Sequence, residues 1–342
     1  LTGKPTKVTQ LAREYLKKFP KAATMTLAKK LAREHPLVFG VDDGAIERAR
    51  SAVRRVRGNM GTKNHRYLAN RTQIRENAKA GTAFEKLPKP RKLKKWQPFK
   101  IKAERILALS DVHVPYHHYA GLQMALEYGA KKDVDHILLL GDFMDFYSIS
   151  RWEKDPEERD FGDEIHRGKM MLQSIRDGFP NAKMTYIPGN HEDRYLRYMR
   201  LRAPDLLGLD IISLENLLSL DHFGIDTVDG GRYIEMGKLC AIHGHEFGGS
   251  GSPVNAARGL FLKGLECCMC GHWHRTSQHT EPSMKGRVVA TYGLGCLCDL
   301  HPDYARINKW NLGFGYIELH GDDFEVHNLR IQHIGGKLRI RR

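Results

Sequence analysis

Five short apolar runs in this chain each end in residues that bind metals or carry protons, and that repetition limits the possible folds more than any single segment does. Met184 to Ile187 stops at Pro188-Gly189 and delivers Asn190, His191 and Glu192 in succession. Ile106 to Leu109 leads into Ser110-Asp111-Val112-His113, and Ile137 to Leu140 into Gly141-Asp142-Phe143-Met144-Asp145. Leu239 to Ile242 leads into His243-Gly244-His245, and Cys267 to Cys270 into Gly271-His272-Trp273-His274. Short apolar runs closed by glycine or proline read as buried strands, and helical patterns alternating with them give an α/β fold. In such folds ligands collect beyond the carboxyl ends of the strands, where loops converge over a rigid sheet. Gly-Asn-His-Glu alone would be ordinary turn chemistry, and a lone His-x-His would read as a satisfied pair. Five such endings predict one site.

Taken in order, Asp-x-His, Gly-Asp-x-x-Asp, Gly-Asn-His-Glu, His-Gly-His and Gly-His-x-His resemble the calcineurin-like metallophosphoesterase family over about residues 105–320. The resemblance implies a two-sheet β-sandwich flanked by helices, with two divalent metals at one edge. Carried over by position, Asp111, His113, Asp142 and His274 would hold the first metal. Asp142, Asn190, His243 and His272 would hold the second, with Asp142 bridging the pair. Mixed carboxylate, amide and imidazole ligands suit Mn²⁺, the expected metal, with Fe²⁺, Zn²⁺ and Ni²⁺ as alternatives. Two such ions activate a water and clamp phosphoryl oxygens for in-line attack. His191, left free of metal, can donate a hydrogen bond or a proton to the phosphoryl oxygen or leaving group. The resemblance pairs it with Asp145, which would fix its tautomer; the plainer role for Asp145 is a helix cap. Arg194 and Arg197 follow on a predicted helix and are the expected substrate contacts, the alternative being a solvated helix face. His245 is expected near the site without being a ligand, and His117 and His118 are expected at the surface.

The first hundred residues differ in kind. They carry 26 Lys and Arg against 7 Asp and Glu, a net +19, while residues 101–342 carry 29 against 33, a net −4. A cationic head on a slightly acidic body points to a polyanionic partner. Three helical stripes are legible: Val8 to Leu16 closed by Pro20, Leu27 to Ala32 capped by Thr24 or Thr26 with Pro36 beyond, and Ala45 to Val56 with Gly58 past its end. In the third, Ala45, Ile46, Ala49, Ala52, Val53 and Val56 share a face, beside Arg48, Arg50, Arg54, Arg55 and Arg57. Three short helices with an Arg-rich third resemble a helix-turn-helix module, in which those arginines would contact nucleic acid. A helical bundle with a solvated basic face is the alternative. The expected domains are therefore an all-α basic domain at 1–58, a Lys/Pro-rich linker at 59–100, and an α/β domain at 101–342.

The remaining features set bounds. No apolar run approaches the roughly 18–20 residues of a membrane span, and no signal-peptide pattern follows Leu1. Six cysteines, all between Cys240 and Cys298, read as reduced core residues. The expected compartment is the cytoplasm. Within 203–228 a Leu- and Ile-rich insertion is expected to form helices over one side of the site. Gly315 to Leu319 and Phe324 to Ile331 flank Gly321-Asp322-Asp323 as a β-hairpin, and the basic tail from Lys337 is expected to be disordered. The favoured activity is phosphodiester hydrolysis of nucleic acid, akin to the DNA-repair exonuclease branch of the family. The alternative is a phosphatase or nucleotide phosphodiesterase for small molecules, with the head serving docking or oligomerisation. The Ser/Thr protein phosphatase branch fits worse, since Phe146 stands where that branch carries an arginine.

Overall fold

The structure, a computed structural model, describes residues 6–57, 88, 96–151, 160–228, 231–248 and 254–341. It divides into two compact units, Leu1–Lys94 and Lys95–Arg342.

The first unit is helical: α1 (Lys7–Lys18), α2 (Thr24–Glu34), one turn of α3 (Pro36–Phe39) and α4 (Ala45–Val56). Residues spaced three and four apart put one apolar face on each helix. Ala12, Leu27, Leu31, Phe39, Ala49 and Val53 close a small core between them. Three details differ from the sequence reading. Ala23 precedes α2 and Thr24 lies inside it, with no side-chain cap. Pro36 opens α3, where its missing N–H costs no helical bond. Ile46 is exposed, because Ala45, Ala49 and Ala52 already fill the narrow contact with α2. Gly58 and nearly all of the expected linker lie outside the described residues.

The second unit begins with β1 (Phe99–Lys100), β2 (Arg105–Leu109), α5 (Tyr119–Lys131), β3 (His136–Leu140), α6 (Phe161–Gly178), β4 (Lys183–Ile187) and α7 (Asn190–Arg202). A short α8 (Leu214–Leu217) precedes β5 (Ile225–Thr227), β6 (Ile234–Met236) and β7 (Leu239–Ile242). Then come α9 (Ala256–Gly264), β8 (Cys268–Cys270), β9 (Ser277–Pro282), β10 (Val288–Gly293), β11 (Leu312–His320), β12 (Asp323–Ile334) and β13 (Lys337–Arg341). They form a seven-stranded sheet, β13-β12-β11-β2-β3-β4-β5, and a six-stranded sheet, β1-β6-β7-β8-β10-β9.

Alternate residues of the central strands face two different cores, which is why these strands are apolar throughout. Ile106, Ala108, Leu138 and Leu140 meet Ala241, Met269 and Leu294 between the sheets. Leu107, Leu109, Ile137 and Leu139 pack with Leu122 of α5 and Leu172 of α6 on the outer face. Two terminal segments depart from expectation. Phe99 and Lys100, placed at the end of the linker, pair with Ile234 and Glu235 as an edge strand. The tail from Lys337 is ordered as β13, paired with β12; its alternation of basic and apolar residues is the pattern of a charged edge strand. The 203–228 insertion forms 3-10 turns, α8 and β5 rather than longer helices, and buries Leu214, Leu218 and Leu220. The hairpin appears as β11–β12.

Candidate active site

The site sits where the carboxyl ends of both sheets meet. β2, β3 and β4 are parallel neighbours, so the segments after them emerge side by side. Asp111 N donates to Gly141 O at 3.1 Å and His113 N to Asp142 O at 3.0 Å. In the other sheet β7 and β8 are parallel, and Gly271 N donates to His243 O at 2.8 Å. The sheets are tied at this edge by His243 Nδ1, which donates to Leu140 O at 2.8 Å. Gly141 makes that approach possible: its φ is +82°, and a Cβ there would collide with the His243 ring. Gly189 is likewise packed against the Asp142 carboxylate and backbone N.

All seven side chains expected as ligands converge. His274 Nε2 lies 3.1 Å from Asp111 Oδ1 and 3.3 Å from His113 Nε2. His113 Nε2 is 3.9 Å from Asp142 Oδ2. On the other side of Asp142, His243 Nε2 is 3.2 Å from its Oδ2 and 3.3 Å from Asn190 Oδ1. His272 joins Asp142 and His243 with ligand atoms within 4.8 Å of one another. Asp142 thus stands between two groups of donors.

The arrangement fits cations on three grounds. Asp111 and Asp142 are buried carboxylates that contact no lysine or arginine among the described residues, and a buried charge needs a compensating one. The Nε2 atoms of His113 and His274 converge to 3.3 Å, so two imidazole donors point at one spot. His113 Nδ1 is turned to Asp145 Oδ2 at 3.3 Å and His243 Nδ1 to a carbonyl, which leaves each Nε2 to face the centre. The backbone adds a further sign. Asp111, His113, Asp142, His272 and His274 all have φ between 49° and 65°, a left-handed conformation that costs non-glycine residues energy and gathers at functional sites.

Electrostatics follow from burial and charge. Burial would raise the Asp111 carboxyl, but His274 and His243 outweigh it and hold it at about 2. Burial would lower His243, yet Asp142 and then Asp111 carry it up to about 10. His272 is lowered to about 4 by burial and by His243, and His113 is lowered by burial and by His191, so both offer neutral imidazoles. For Asp145 burial acts upward, but hydrogen bonds from His113 and His191 drive it far below the carboxylate range.

His191 opens α7 beside this cluster. Its Nδ1 donates to Asp145 O at 2.8 Å and lies 3.5 Å from Asp145 Oδ2, while Nε2 is 3.8 Å from Asp142 Oδ2. Burial lowers its proton affinity, but Asp142 and Asp145 raise it further, leaving a net upward shift. Arg194 Nη2 donates to His191 Nε2 at 2.8 Å, and its Nη1 donates to Asp145 O at 3.0 Å. Arg197, one turn on, is exposed and lines a groove of about 830 Å³ with Asn190, Arg194 and Arg202. His245 lies 3.3 Å from Asp193 and makes no contact with the cluster carboxylates among the described pairs. His117 and His118 are half-buried, and His118 caps α5 by accepting from Gly121 N at 3.0 Å.

Residues 104–276 match the calcineurin-like phosphoesterase family over just more than half of the chain. The chain belongs to that family. Calcineurin-like phosphoesterases depend on a pair of metal ions, and the seven residues here suit such a pair. The phosphoesterase is similar to the Gene 54 proteins of Mycobacterium phages L5 and D29. Each is 25% identical to it, over 70% of this chain and 97% of the relative. Among solved structures it is similar to vacuolar protein sorting 29 from Cryptosporidium parvum (13% identical, 70% of this chain and 96% of that one, TM-score 0.36). Another is a dimetal phosphatase from Danio rerio (12% identical, 67% and 96%, TM-score 0.35).

The sequence reading gave no role to five residues at the site. Glu192, fully buried, accepts from Asp142 N at 3.0 Å, Met144 N at 2.9 Å, Gly189 N at 2.7 Å and Tyr186 Oη at 2.6 Å. It therefore braces the β3 and β4 loops against each other. Its position three residues after Gly189 is capping-box spacing, which was the available signal. Cys298 places Sγ 3.8 Å from His274 Nδ1. Tyr116, Tyr147 and Tyr304 border a cavity that opens at His113 and Asp145. Nothing local in the sequence ties Cys298 or Tyr304 to the motifs.

Proposed function

We propose that this phosphoesterase is a phosphodiesterase acting on nucleic acid, akin to the DNA-repair exonuclease branch of its family. The observation that carries this reading is the groove leading away from Asn190 along Arg194, Arg197 and Arg202. A phosphomonoester needs one cationic contact beside the metals, whereas a row of guanidinium groups suits successive phosphates. The +19 head supports it from the same chain. There α4 would meet the nucleic acid as the third helix of a helix-turn-helix-like module.

Asp111, His113, Asp142 and His274 would hold one metal, and Asp142, Asn190, His243 and His272 the other, with Mn²⁺ the best match to mixed oxygen and nitrogen donors. When bound, the pair polarises the phosphoryl group and supplies an activated water. The chain's own residues do the rest. Glu192 holds Asp142 and Gly189 in register, so the Asp142 carboxylate keeps its place. Asp145 fixes the His191 ring through Nδ1, which leaves Nε2 to carry a proton to the departing oxygen. Arg194 Nη2 stands 2.8 Å from Nε2, so a phosphate drawn to the guanidinium comes within reach of the same nitrogen.

A substrate panel tests the reading. With Mn²⁺, bis-p-nitrophenyl phosphate and single- and double-stranded DNA are expected to turn over faster than p-nitrophenyl phosphate. Rapid monoester hydrolysis with inert diesters and intact DNA would assign a phosphatase instead.

A further inference from the structure

A second recess, distinct from the arginine groove, opens beside His113 and Asp145. It measures about 230 Å³ and is walled by Tyr116, Tyr147, Pro302 and Tyr304. Asp299 and His301 stand at its edge, and His113 and Asp145 form the end nearest the metal ligands. Tyr116 and Tyr147 meet edge to face, with ring centroids 5.9 Å apart. Tyr304 is 67% exposed and packs in the same manner on Trp310, which in turn lies against His274. Asp145 lines the recess, and its carbonyl accepts from Nη1 of Arg194, which lines the groove.

We infer that this recess holds a single unpaired nucleobase, with its phosphate on the metal side and the rest of the strand along the arginine groove. The chemistry of the walls selects a flat aromatic ring. Aromatic side chains stack on bases through their π faces, which tolerates any of the bases, and Asp299 and His301 offer polar groups to a base edge. Size sets the other limit. The recess lies below the roughly 300–1,000 Å³ typical of drug-sized ligands, so a single base is a ligand of matching scale, which a strand presents from a frayed or single-stranded end. This deepens the phosphodiesterase reading and rests on it for the position of the phosphate.

Equilibrium titration of the Mn²⁺-loaded full chain with thymidine 5′-monophosphate and with 2-deoxyribose 5-phosphate isolates the base, since the two share sugar and phosphate. The nucleotide is expected to bind about tenfold more tightly. Tyr304→Ala should bring that ratio close to one, and Tyr304→Phe should restore it, because the ring and not the hydroxyl does the stacking. Equal affinities for the unaltered protein, or a ratio that Tyr304→Ala leaves intact, overturn the pocket. Hydrolysis of bis-p-nitrophenyl phosphate by the same preparation separates the two ideas. Turnover without base preference removes the pocket alone. Base preference without turnover removes the phosphodiesterase reading and keeps the pocket, and the loss of both removes both.

Discussion

The two-sheet body buries its charge, while the helical head spreads it over the surface. In the body Asp111, Asp142 and His243 are at most 2% exposed, and the backbone beneath five of the ligands is left-handed. In the head the arginines of α4 serve the head's own structure as much as anything outside it. Arg48 donates to Phe39 O and pairs with Asp42, Arg50 pairs with Glu47 at 3.1 Å, and Arg57 donates to Thr24 Oγ1. Only Arg54 and Arg55 of the five have no such partner among the described residues. Buried, strained charge is costly and persists where function requires it; surface charge costs little and so says less. The body therefore names its chemistry, and the head suggests a partner only through its excess of one sign.

The contrast can be broken most sharply at Asp142. Asp142→Ala is expected to remove both metals and to lower turnover by about three orders of magnitude or more. Elemental analysis showing two ions per chain in that variant would end the shared-ligand assignment. His191→Ala should keep both metals and lose roughly 10²–10⁴-fold in turnover. Metal content falling with activity would make His191 a ligand rather than a proton carrier.

Charge reversal in the two regions should have smaller and distinguishable effects. Arg197→Glu with Arg202→Glu is expected to raise the KM for DNA about tenfold. Arg54→Glu with Arg55→Glu is expected to weaken DNA binding and to flatten its log–log salt dependence by about two. An unchanged salt slope in the head variant would leave its basic surface without the proposed partner.

The smallest effect concerns Glu164, a buried carboxyl on α6 that accepts from Tyr147 N at 3.2 Å and Ser148 Oγ at 3.3 Å. Burial, and then the nearby Asp145 charge, push its pKa up to about 7. A carboxyl raised in the folded state contributes stability that is full below its unfolded pKa and is lost as pH rises through 7. Between pH 5 and pH 8 the protein should therefore lose roughly 1–3 kcal/mol that Glu164→Gln retains. Parallel pH–stability curves from denaturant unfolding would remove Glu164 as the cause.

How much of this was legible in the sequence depends on distance along the chain. Asp111 and His113, or His272 and His274, stand two residues apart at the end of one strand, so strand period and turn chemistry are enough to place them. The strands β1 and β13 were missed for opposite reasons. Phe99-Lys100 is too short to show a period and depends on a partner more than 130 residues later. Lys337 to Arg341 has the period but is masked by its charge. Glu192 was left without a role because its partners Asp142 and Met144 lie in a different loop. Cys298 and Tyr304 belong to the long return that sets β11 beside β2, and bonds from Leu297 N to Asp111 O and from Asp299 N to Tyr116 O hold that return at the site.

That return has a consequence for how the protein comes into being. Strand β11, drawn from residues 312–320, occupies an interior place in the seven-stranded sheet, between β12 and β2. A chain emerging from the ribosome with every ligand through His274 already outside still lacks the neighbour that completes β2. The cluster of metal ligands is thus completed late, only after residues 312–320 have been made and have taken their place beside β2.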